Sequence, residues 1–295
     1  MRRIAFLACK TTLPASEQRR ADAYEHDLTM AALRPAFEIA GLDLQAVDWE
    51  APLEAFASFD AALLGTAWNY QERPDAFLAR IDALAARGIA MFNPPEIAHW
   101  NIAKTYLSVL DEAGAPTVPT LWHSCADAAD ALAAMDHFGC DRLVVKKQIG
   151  AGAEGQILLE REAVLDRWRF DGPAMLQPFL PAIADEGELS FVFIDGRLSH
   201  AVRKVPASGD YRIQSLYGGR EEPYQPAPAD LAAAARVISA LPFPTPLYAR
   251  IDMVRGQRGL LLMEAELIEP YLYPEQGPGL GHRLAAALAE RIVRA

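Results

Sequence analysis

The sequence predicts an α/β protein whose C-terminal part is α+β. Residues 1–98 alternate apolar strands with helices, which is the pattern of a small parallel sheet. From Gly187 onward, turn residues rather than helices separate most strands, which favours antiparallel pairing. The chain has 295 residues, enough for two or three domains with cores of their own. We therefore predict an N-terminal domain at 1–98, a central unit at 99–180 and a C-terminal unit at 181–295.

The N-terminal domain is predicted to be a four-stranded α/β unit. Pro74 stands where a helix would begin and Gly88 where it would end, because proline fits the first helical turn and glycine follows the last. In chain order, the predicted elements are a strand at 3–9, a helix at 22–40, strands at 42–49 and 60–68, the helix from Pro74, and a strand at 89–93.

The central unit is predicted to mix short strands and helices. One helix is expected from Pro95 to Ala113, with Gly114 as its stop. The other predicted elements are a strand at 117–123, a helix at 126–138, a hairpin that begins near 144, a helix at about 163–168 and a strand at 174–180.

The C-terminal unit is predicted from two hairpins. Asp195-Gly196 is a strong signal for the first turn, and Gly256 and Gly259 bound the second. The predicted elements are strands at 188–194 and 197–205, a long loop at 206–228, a helix at 229–240, strands at 246–254 and 259–268, and a closing helix at 281–294.

Composition excludes several classes of protein. No apolar run approaches the roughly 20 residues that a membrane-spanning helix needs. The net charge of −11 makes general nucleic-acid binding improbable. The three cysteines, Cys9, Cys125 and Cys140, form no paired motif, which fits a reducing cytoplasm. We therefore expect a cytoplasmic protein without membrane or nucleic-acid partners.

Residues 144–155, VVKKQIGAGAEG, join an apolar strand, two lysines and a glycine-rich turn. Glycine N–H groups and a neighbouring lysine can surround a phosphate. The G-x-G-x-x-G spacing matches a dinucleotide fingerprint, but a second strand follows it instead of a helix, so we reject that interpretation. The segment predicts either a hairpin flap that closes over phosphates or an ordinary hairpin turn.

Three acids lie on the second C-terminal hairpin. Glu264 and Glu266 are two residues apart and share one face of a strand, while Asp252 falls nearly opposite Glu264. Carboxylates about 6.6 Å apart repel by roughly 2.5 kcal/mol at an effective dielectric of 20. A divalent cation with oxygen ligands would relieve this repulsion, and magnesium or manganese fits best. The alternative is a solvated face, or pairing with Arg250 or Arg255.

These segments together resemble the ATP-grasp superfamily, in its glutathione-synthetase-like branch. The similarity extends from about residue 94 to 275 and includes the helix that carries Lys104, the lysine–glycine flap, LQPFL at 176–180, and the hairpin with ARID and MEAELIEP. Two positions depart from the family pattern: Lys147 stands where proline is usual, and Glu266 where asparagine is common. The second departure puts the number of bound metal ions in doubt.

The resemblance implies an ATP-grasp architecture in which the central and C-terminal units clasp ATP. It also implies a set of nucleotide and metal contacts. Phosphate ligands would be Lys104, Lys146, Gly150, Gly152 and Gly155; Gln177, Phe179 and Leu180 would lie at the adenine; Glu188 would meet the ribose; and Asp252, Glu264 and Glu266 would hold Mg²⁺, or Mn²⁺.

The implied activity is ATP-dependent ligation of a carboxylate to an amine through an acyl-phosphate. We expect Arg203 and Arg212 to grip the substrate carboxylate, since arginine binds carboxylates bidentately, and we take Arg250 as a third candidate catalytic residue. Lys204 is interpreted as a solvated surface residue. Trp68 ends a strand of the N-terminal domain, where it would contact either a ligand or the next domain.

Other functions remain open at this stage. WNY at 68–70 and the ELIEP segment at 266–270 are similar to a small subgroup of cyclo-ligases that act on O-ureidoserine, which implies ring closure within one substrate. A small-molecule kinase would use the same nucleotide site, and a regulatory protein would bind nucleotide without turnover. The expected partners are a small carboxylate and an amine, and the family often forms homodimers or homotetramers.

Overall fold

The computed structural model describes residues 1–150, 155–207 and 218–294. The N-terminal domain is a parallel sheet with strand order β2-β1-β3-β4. The interior of β1 is apolar on both faces, as in a sheet covered by helices on both sides. The bounds are β1 Arg2–Ala8, α1 Ala23–Ile39, β2 Leu42–Asp48, β3 Ala61–Thr66, α2 Pro74–Ala86 and β4 Ala90–Phe92, which confirms the predicted order.

The central unit is an antiparallel sheet with strand order β5-β10-β7-β8, beside a two-stranded sheet of β6 and β9. Strands β7 and β8 form the predicted hairpin. The bounds are α3 Pro95–Asn101, α4 Tyr106–Glu112, β5 Leu121–His123, β6 Ala126–Asp127, α5 Ala128–Phe138, β7 Arg142–Lys147, β8 Ile157–Glu160, β9 Arg169–Phe170, β10 Ala174–Pro178 and α6 Ala182–Asp185.

Two predictions for this unit are wrong. The single helix expected from Pro95 is interrupted, because the main-chain N–H of Lys104 donates to Gln148 O at 2.7 Å instead of continuing the helix. The helix expected at 163–168 is absent from the described fold, where residues 164–168 form a turn between the 3₁₀ turn Arg161–Ala163 and strand β9. The turn is closed by the Trp168 N–H, which donates to Leu165 O at 2.8 Å.

The C-terminal unit is a five-stranded antiparallel sheet with order β13-β12-β11-β14-β15. Asp195 and Gly196 both have positive φ angles, as the predicted hairpin turn requires. Strand β13 lies within the segment predicted as a loop. The bounds are β11 Glu188–Ile194, β12 Arg197–Val205, β13 Arg220–Tyr224, α7 Pro228–Ala240, β14 Tyr248–Gly256, β15 Gly259–Glu266 and α8 Leu280–Arg294.

The C-terminal helix returns to the N-terminal domain. Helix α8 packs on α1, and a β-carbon on Gly281 would lie 2.3 Å from Ala32 O, so this approach requires glycine. One large core therefore includes residues of both units. Among the described helices, none combines the length and apolarity needed to cross a membrane.

Candidate active site

Lys104 joins the flap to the acidic hairpin. Its Nζ donates to Glu264 Oε1 at 2.5 Å and to Gly150 O at 2.7 Å. The break between α3 and α4 places this lysine, because its main chain is bonded to Gln148 beside the flap. Burial opposes its charge, but Glu264 and more distant acids raise the pKa of Lys104 above its usual value. Lys104 is therefore cationic, and it lies where the predicted phosphate-binding flap meets the predicted metal-binding hairpin.

The two lysines of the flap strand face opposite ways. Lys146 feels the charges of Glu264, Lys104 and Glu188, whereas Lys147 is exposed. Burial lowers the pKa of Lys146, and Glu264 partly offsets that effect. A β-carbon on Gly155, at φ +72°, would lie 2.9 Å from Lys147 Cε. Gly155 thus leaves room for the side chain of Lys147. Lys146, on the other face of the strand, is the lysine on which Glu264 and Glu188 act. Gly152 lies outside the described residues.

The register of the hairpin brings its acids together as predicted. Asp252 pairs with Glu264, and Arg250 with Glu266, on adjacent strands. Arg250 Nε lies 3.1 Å from both Asp252 oxygens, Nη2 lies 2.9 Å from Asp252 Oδ2, and Nη2 also contacts Glu266. Nη1 donates to Tyr271 O at 3.0 Å. Arg250 is thus a buried bridge between two predicted metal ligands.

Burial and local charge set the protonation of these acids. Burial alone would raise the pKa of Asp252, but the cations of Arg250 and Lys204 hold it well below its usual range. Burial, opposed by Arg250 and reinforced by Glu264, raises the pKa of Glu266 to about 7. Asp252 is therefore a firm anion, while Glu266 is much more readily protonated.

A buried lysine that the sequence did not identify completes this charge cluster. Lys204 is 5% exposed, contacts Glu188 and lies 3.4 Å from Asp252 Oδ2, so its interpretation as a solvated residue is wrong. Alternation along β12 places Lys204 on the buried face and Arg203 on the opposite face, but the sequence around these residues does not show which face is buried. Burial, opposed by Lys204, raises the pKa of Glu188 to about 7. Contact of Glu188 with a ribose stays a prediction.

The three predicted metal ligands provide oxygen donors on adjacent strands, which suits magnesium. Within the part of the chain that the structure describes, no three acidic, histidine or cysteine side chains converge as a ready cage. Side-chain cations instead contact each acid: Lys104 contacts Glu264, and Arg250 contacts Asp252 and Glu266. The donor chemistry fits the metal, and the acids are held in place by neighbouring charges.

The predicted adenine segment is an ordered hinge between the central and C-terminal sheets. Gln177 is buried and its Nε2 donates to Thr120 Oγ1 at 2.9 Å. The Phe179 ring lies against the Arg142 guanidinium at 4.0 Å, and Leu180 O accepts from the N–H of Ile183. Their contact with a base stays a prediction.

The arginines predicted to bind substrate do not all reach the cluster. Arg203 lies on the opposite face of β12 from Lys204 and donates to Glu222 Oε2 at 2.6 Å, at the sheet edge. This placement does not support the substrate contact predicted for Arg203. Arg212 belongs to the segment that the structure leaves undescribed. Arg250 alone of the three is observed in the cluster.

Side chains from the first half of the chain hold the end of the acidic hairpin. Asn101 Nδ2 donates to Ala265 O at 2.8 Å, and its Oδ1 accepts from Leu267 N at 2.9 Å. Trp68 Nε1 donates to Glu269 O at 3.0 Å, so Trp68 makes the predicted contact between domains. Asn101 could not be identified from the sequence, since a lone asparagine in a helix carries no recognisable pattern.

Comparison with known proteins connects this arrangement to ligases. The family model of the D-cycloserine synthetase DcsG N-terminal domain matches residues 4–93. The chain is 29% identical over 288 residues to the cycloserine biosynthesis protein DcsG of Streptomyces lavendulae, which covers 90% of this chain and 94% of that protein. A glutathione synthetase of Prochlorococcus marinus is 32% identical over 120 residues, or 41% of this chain and 37% of that one.

Solved structures share the fold over the whole chain. The crystal structure of D-cycloserine synthetase DcsG has a TM-score of 0.82 at 24% identity, with 98% of this chain and 99% of that chain covered. D-alanine–D-alanine ligase from Bacillus anthracis, solved with ATP, has a TM-score of 0.66 at 16% identity, with 100% and 98% covered. With the lysine–glycine flap and the acidic hairpin in contact, these similarities show that the chain has the ATP-grasp fold, as the sequence predicted.

Proposed function

We propose that the chain is an ATP- and magnesium-dependent ligase that joins a carboxylate to an amine, or a similar nucleophile, through an acyl-phosphate. The observation that carries this proposal is the position of Lys104, which contacts both Gly150 of the flap and Glu264 of the hairpin. A group that binds phosphates and a set of acids that binds their counter-ion are thereby placed side by side. Phosphoryl transfer needs that combination of charges more than it needs covalent help.

In this proposal the triphosphate is bound from one side by Lys104, Lys146 and flap N–H groups, and the hinge at Gln177–Leu180 receives the adenine. Asp252, Glu264 and Glu266 would hold magnesium, which neutralises charge on the phosphate oxygens. Closure of the flap would exclude water and so protect the acyl-phosphate from hydrolysis. The ATP-bound ligase of the same fold supports the nucleotide assignment.

Arg250 and Lys204 supply the positive charge beside the acids. Arg250 already donates to Asp252, Glu266 and a main-chain oxygen, so its first role is to fix the acids in register. Lys204 contacts Glu188 and lies 3.4 Å from Asp252 Oδ2, so its charge offsets part of the cost of burying both acids together. A substrate carboxylate that approaches the γ-phosphate would find both cations in a water-poor setting, where charge interactions are strongest.

Trapping the intermediate tests the proposal. Purified protein, ATP and magnesium are incubated with single carboxylates in hydroxylamine, which converts an acyl-phosphate into a stable hydroxamate. With an accepted acid, we expect ADP and hydroxamate to form in equal amounts. In Glu264→Gln, the rate of their formation should fall by at least about 100-fold. Glu54→Gln, on the exposed surface of the N-terminal domain, is the matched control. ADP release with a phosphorylated substrate and no hydroxamate would instead identify a kinase.

Ring closure within one substrate is the second candidate. The observation that favours it is the similarity along 90% of the chain to a protein named for cycloserine biosynthesis. An acyl-phosphate whose own nitrogen attacks the carbonyl would release phosphate without a second substrate. O-ureidoserine supplied alone tests this point: phosphate and a cyclic product support ring closure, whereas phosphate that requires an added amine supports intermolecular ligation.

A further inference from the structure

A short segment at the junction of helices α3 and α4 is bonded to strand β15. Asn101 ends α3, and its Nδ2 donates to Ala265 O at 2.8 Å. Tyr106 begins α4, and its hydroxyl oxygen accepts from the N–H of Ala265 at 3.0 Å. Lys104, which lies between them in the chain, donates to Glu264. The α3–α4 junction therefore holds both the main chain of β15 and one of its acids.

These contacts cover the outer edge of the sheet. Strand β15 is an edge strand of the described five-stranded sheet, and β14 pairs with its other side. An edge strand leaves main-chain groups that need another partner. Asn101 takes that place, because its Oδ1 also accepts from the N–H of Leu267 at 2.9 Å. A carboxamide has the donor and the acceptor of a peptide group, so this side chain reproduces two bonds that a further strand would make.

The register of β15 is irregular where the acids lie. Met253 pairs with Leu262, but Asp252 pairs with Glu264, so Met263 is an extra residue on β15. Such a bulge re-aims the side chains beside it. A slip of one residue turns the following side chains to the other face of the sheet. The position of Glu264 opposite Asp252 therefore depends on what fixes the strand after the bulge.

The contacts of Asn101 and Tyr106 lie directly after this bulge. Ala265 separates Glu264 from Glu266, and it is 1% exposed. Its C=O is bonded to Asn101 and its N–H to Tyr106, so the peptide groups on both sides of Ala265 are held. Asn101 is 7% exposed and Tyr106 is 3% exposed, so little water is available to replace either partner. The two residues thereby fix the directions of both glutamates.

We propose that Asn101 and Tyr106 are positioning residues for the proposed magnesium site. They lock the bulged register of β15, in which Glu264 faces Asp252, and they act through the main chain of Ala265 rather than by contact with the metal. This inference rests on the proposed ATP- and magnesium-dependent activity. Groups that orient metal ligands in this indirect way typically change metal affinity by about 10- to 100-fold when they are replaced.

Binding of a non-hydrolysable ATP analogue tests the proposal without turnover. Calorimetry gives the Kd of the analogue for wild type, Asn101→Ala and Tyr106→Phe, first without metal and then over a series of magnesium concentrations. In both variants, the magnesium concentration that gives half of the tightening should rise by about 10-fold or more. The Kd without metal should stay unchanged, because the main chain of Lys104 is bonded independently to Gln148 O at 2.7 Å.

Tyr248→Phe is the matched control. Tyr248 is 3% exposed, and its hydroxyl donates to Leu64 O at 2.6 Å and to Ile268 O at 2.9 Å, so this variant also loses buried hydrogen bonds. Neither carbonyl lies between the two glutamates. We therefore expect Tyr248→Phe to unfold at a lower temperature than wild type, with the magnesium midpoint unchanged.

Two results would overturn the inference. One is an unchanged magnesium midpoint in folded Asn101→Ala and Tyr106→Phe, and the other is an equal shift in Tyr248→Phe, which would mean that any loss of stability weakens the site. If Asn101→Ala does not fold, Tyr106→Phe, which removes a single oxygen atom, decides the question. If magnesium does not tighten analogue binding in wild type, the proposed nucleotide and metal site itself fails, and that result is distinct from the others.

Discussion

Replacing Arg250 by methionine tests whether its guanidinium holds the acidic hairpin together. The side chain is 7% exposed and donates to Asp252 through Nε and Nη2, to Glu266 through Nη2 and to Tyr271 O through Nη1. Methionine has a similar length without the charge or the donors. In the variant, the negative charges of Asp252 and Glu266 lose the guanidinium that neutralises them. The carbonyl of Tyr271 also loses its hydrogen-bond donor.

The cost follows from these contacts. Removing one partner of a buried ion pair costs about 3–5 kcal/mol, because the remaining charge stays buried. Lys204, 3.4 Å from Asp252, continues to neutralise that acid, so Glu266 is the residue most affected. We expect the free energy of unfolding to fall by about 3–5 kcal/mol, out of a usual total of about 5–15 kcal/mol.

Denaturant unfolding of purified variants without magnesium provides the measurement. Arg255→Met is the comparison, because Arg255 pairs with two acids but its side chain is 34% exposed; we expect a loss of about 1–2 kcal/mol. Adding Glu266→Gln to Arg250→Met should restore about half of the loss, since it removes the uncompensated charge. A loss under about 1 kcal/mol for Arg250→Met, or no recovery in the double variant, would refute this account.

Three further predictions concern the lysine junction, the turn before Glu188 and a buried histidine. Lys104→Met should lower kcat/KM for ATP by about 100-fold or more in a steady-state ADP assay, because a charged phosphate donor is removed; an unchanged value would contradict the phosphate role. Gly187→Ala should destabilise by several kcal/mol more than Gly88→Ala in chemical denaturation. Both glycines have positive φ, but only at Gly187 would a β-carbon lie 2.2 Å from Lys204 O; equal losses would argue against this close packing. Burial lowers the pKa of His26 to about 4, below its unfolded value of 6.5. Its contribution to stability is therefore present above pH 6.5 and lost as the pH falls towards 4, by up to about 3 kcal/mol, and His26→Gln should flatten that part of the pH–stability curve.

The sequence was sufficient to predict the acidic hairpin to within one residue of register. Gly256 and Gly259 bound the turn, and their pairing alone would place Asp252 opposite Met263; a register shift between Asp252 and Met253 brings it opposite Glu264. The same local rule identified the turn at Asp195-Gly196, where both residues have positive φ angles. Turn chemistry and strand alternation are local, so one sequence is enough to apply them.

The features that the sequence did not predict depend on contacts between distant segments. The helix expected to run through Lys104 is interrupted because the main chain there bonds to Gln148, 44 positions later. Lys204 was placed on the surface because nothing near it in the chain indicates that Glu188 and Asp252 meet it in the fold. The contact of Trp68 Nε1 with Glu269 O likewise joins residues that are 201 positions apart, so no local pattern indicates it.

These distant contacts also explain how the acids of the hairpin are held close together. A phosphate would compete with Glu264 for the charge of Lys104, and Glu264 would then be more exposed to the charge of Glu266 two residues away. That exchange is favourable only if Glu264 gains another cation at the same time, since like charges at this spacing repel by roughly 2.5 kcal/mol. Nucleotide and divalent metal should therefore bind as a pair, each lowering the cost of the other. Lys104, which joins the flap to the hairpin, is therefore the group that makes the two binding events depend on each other.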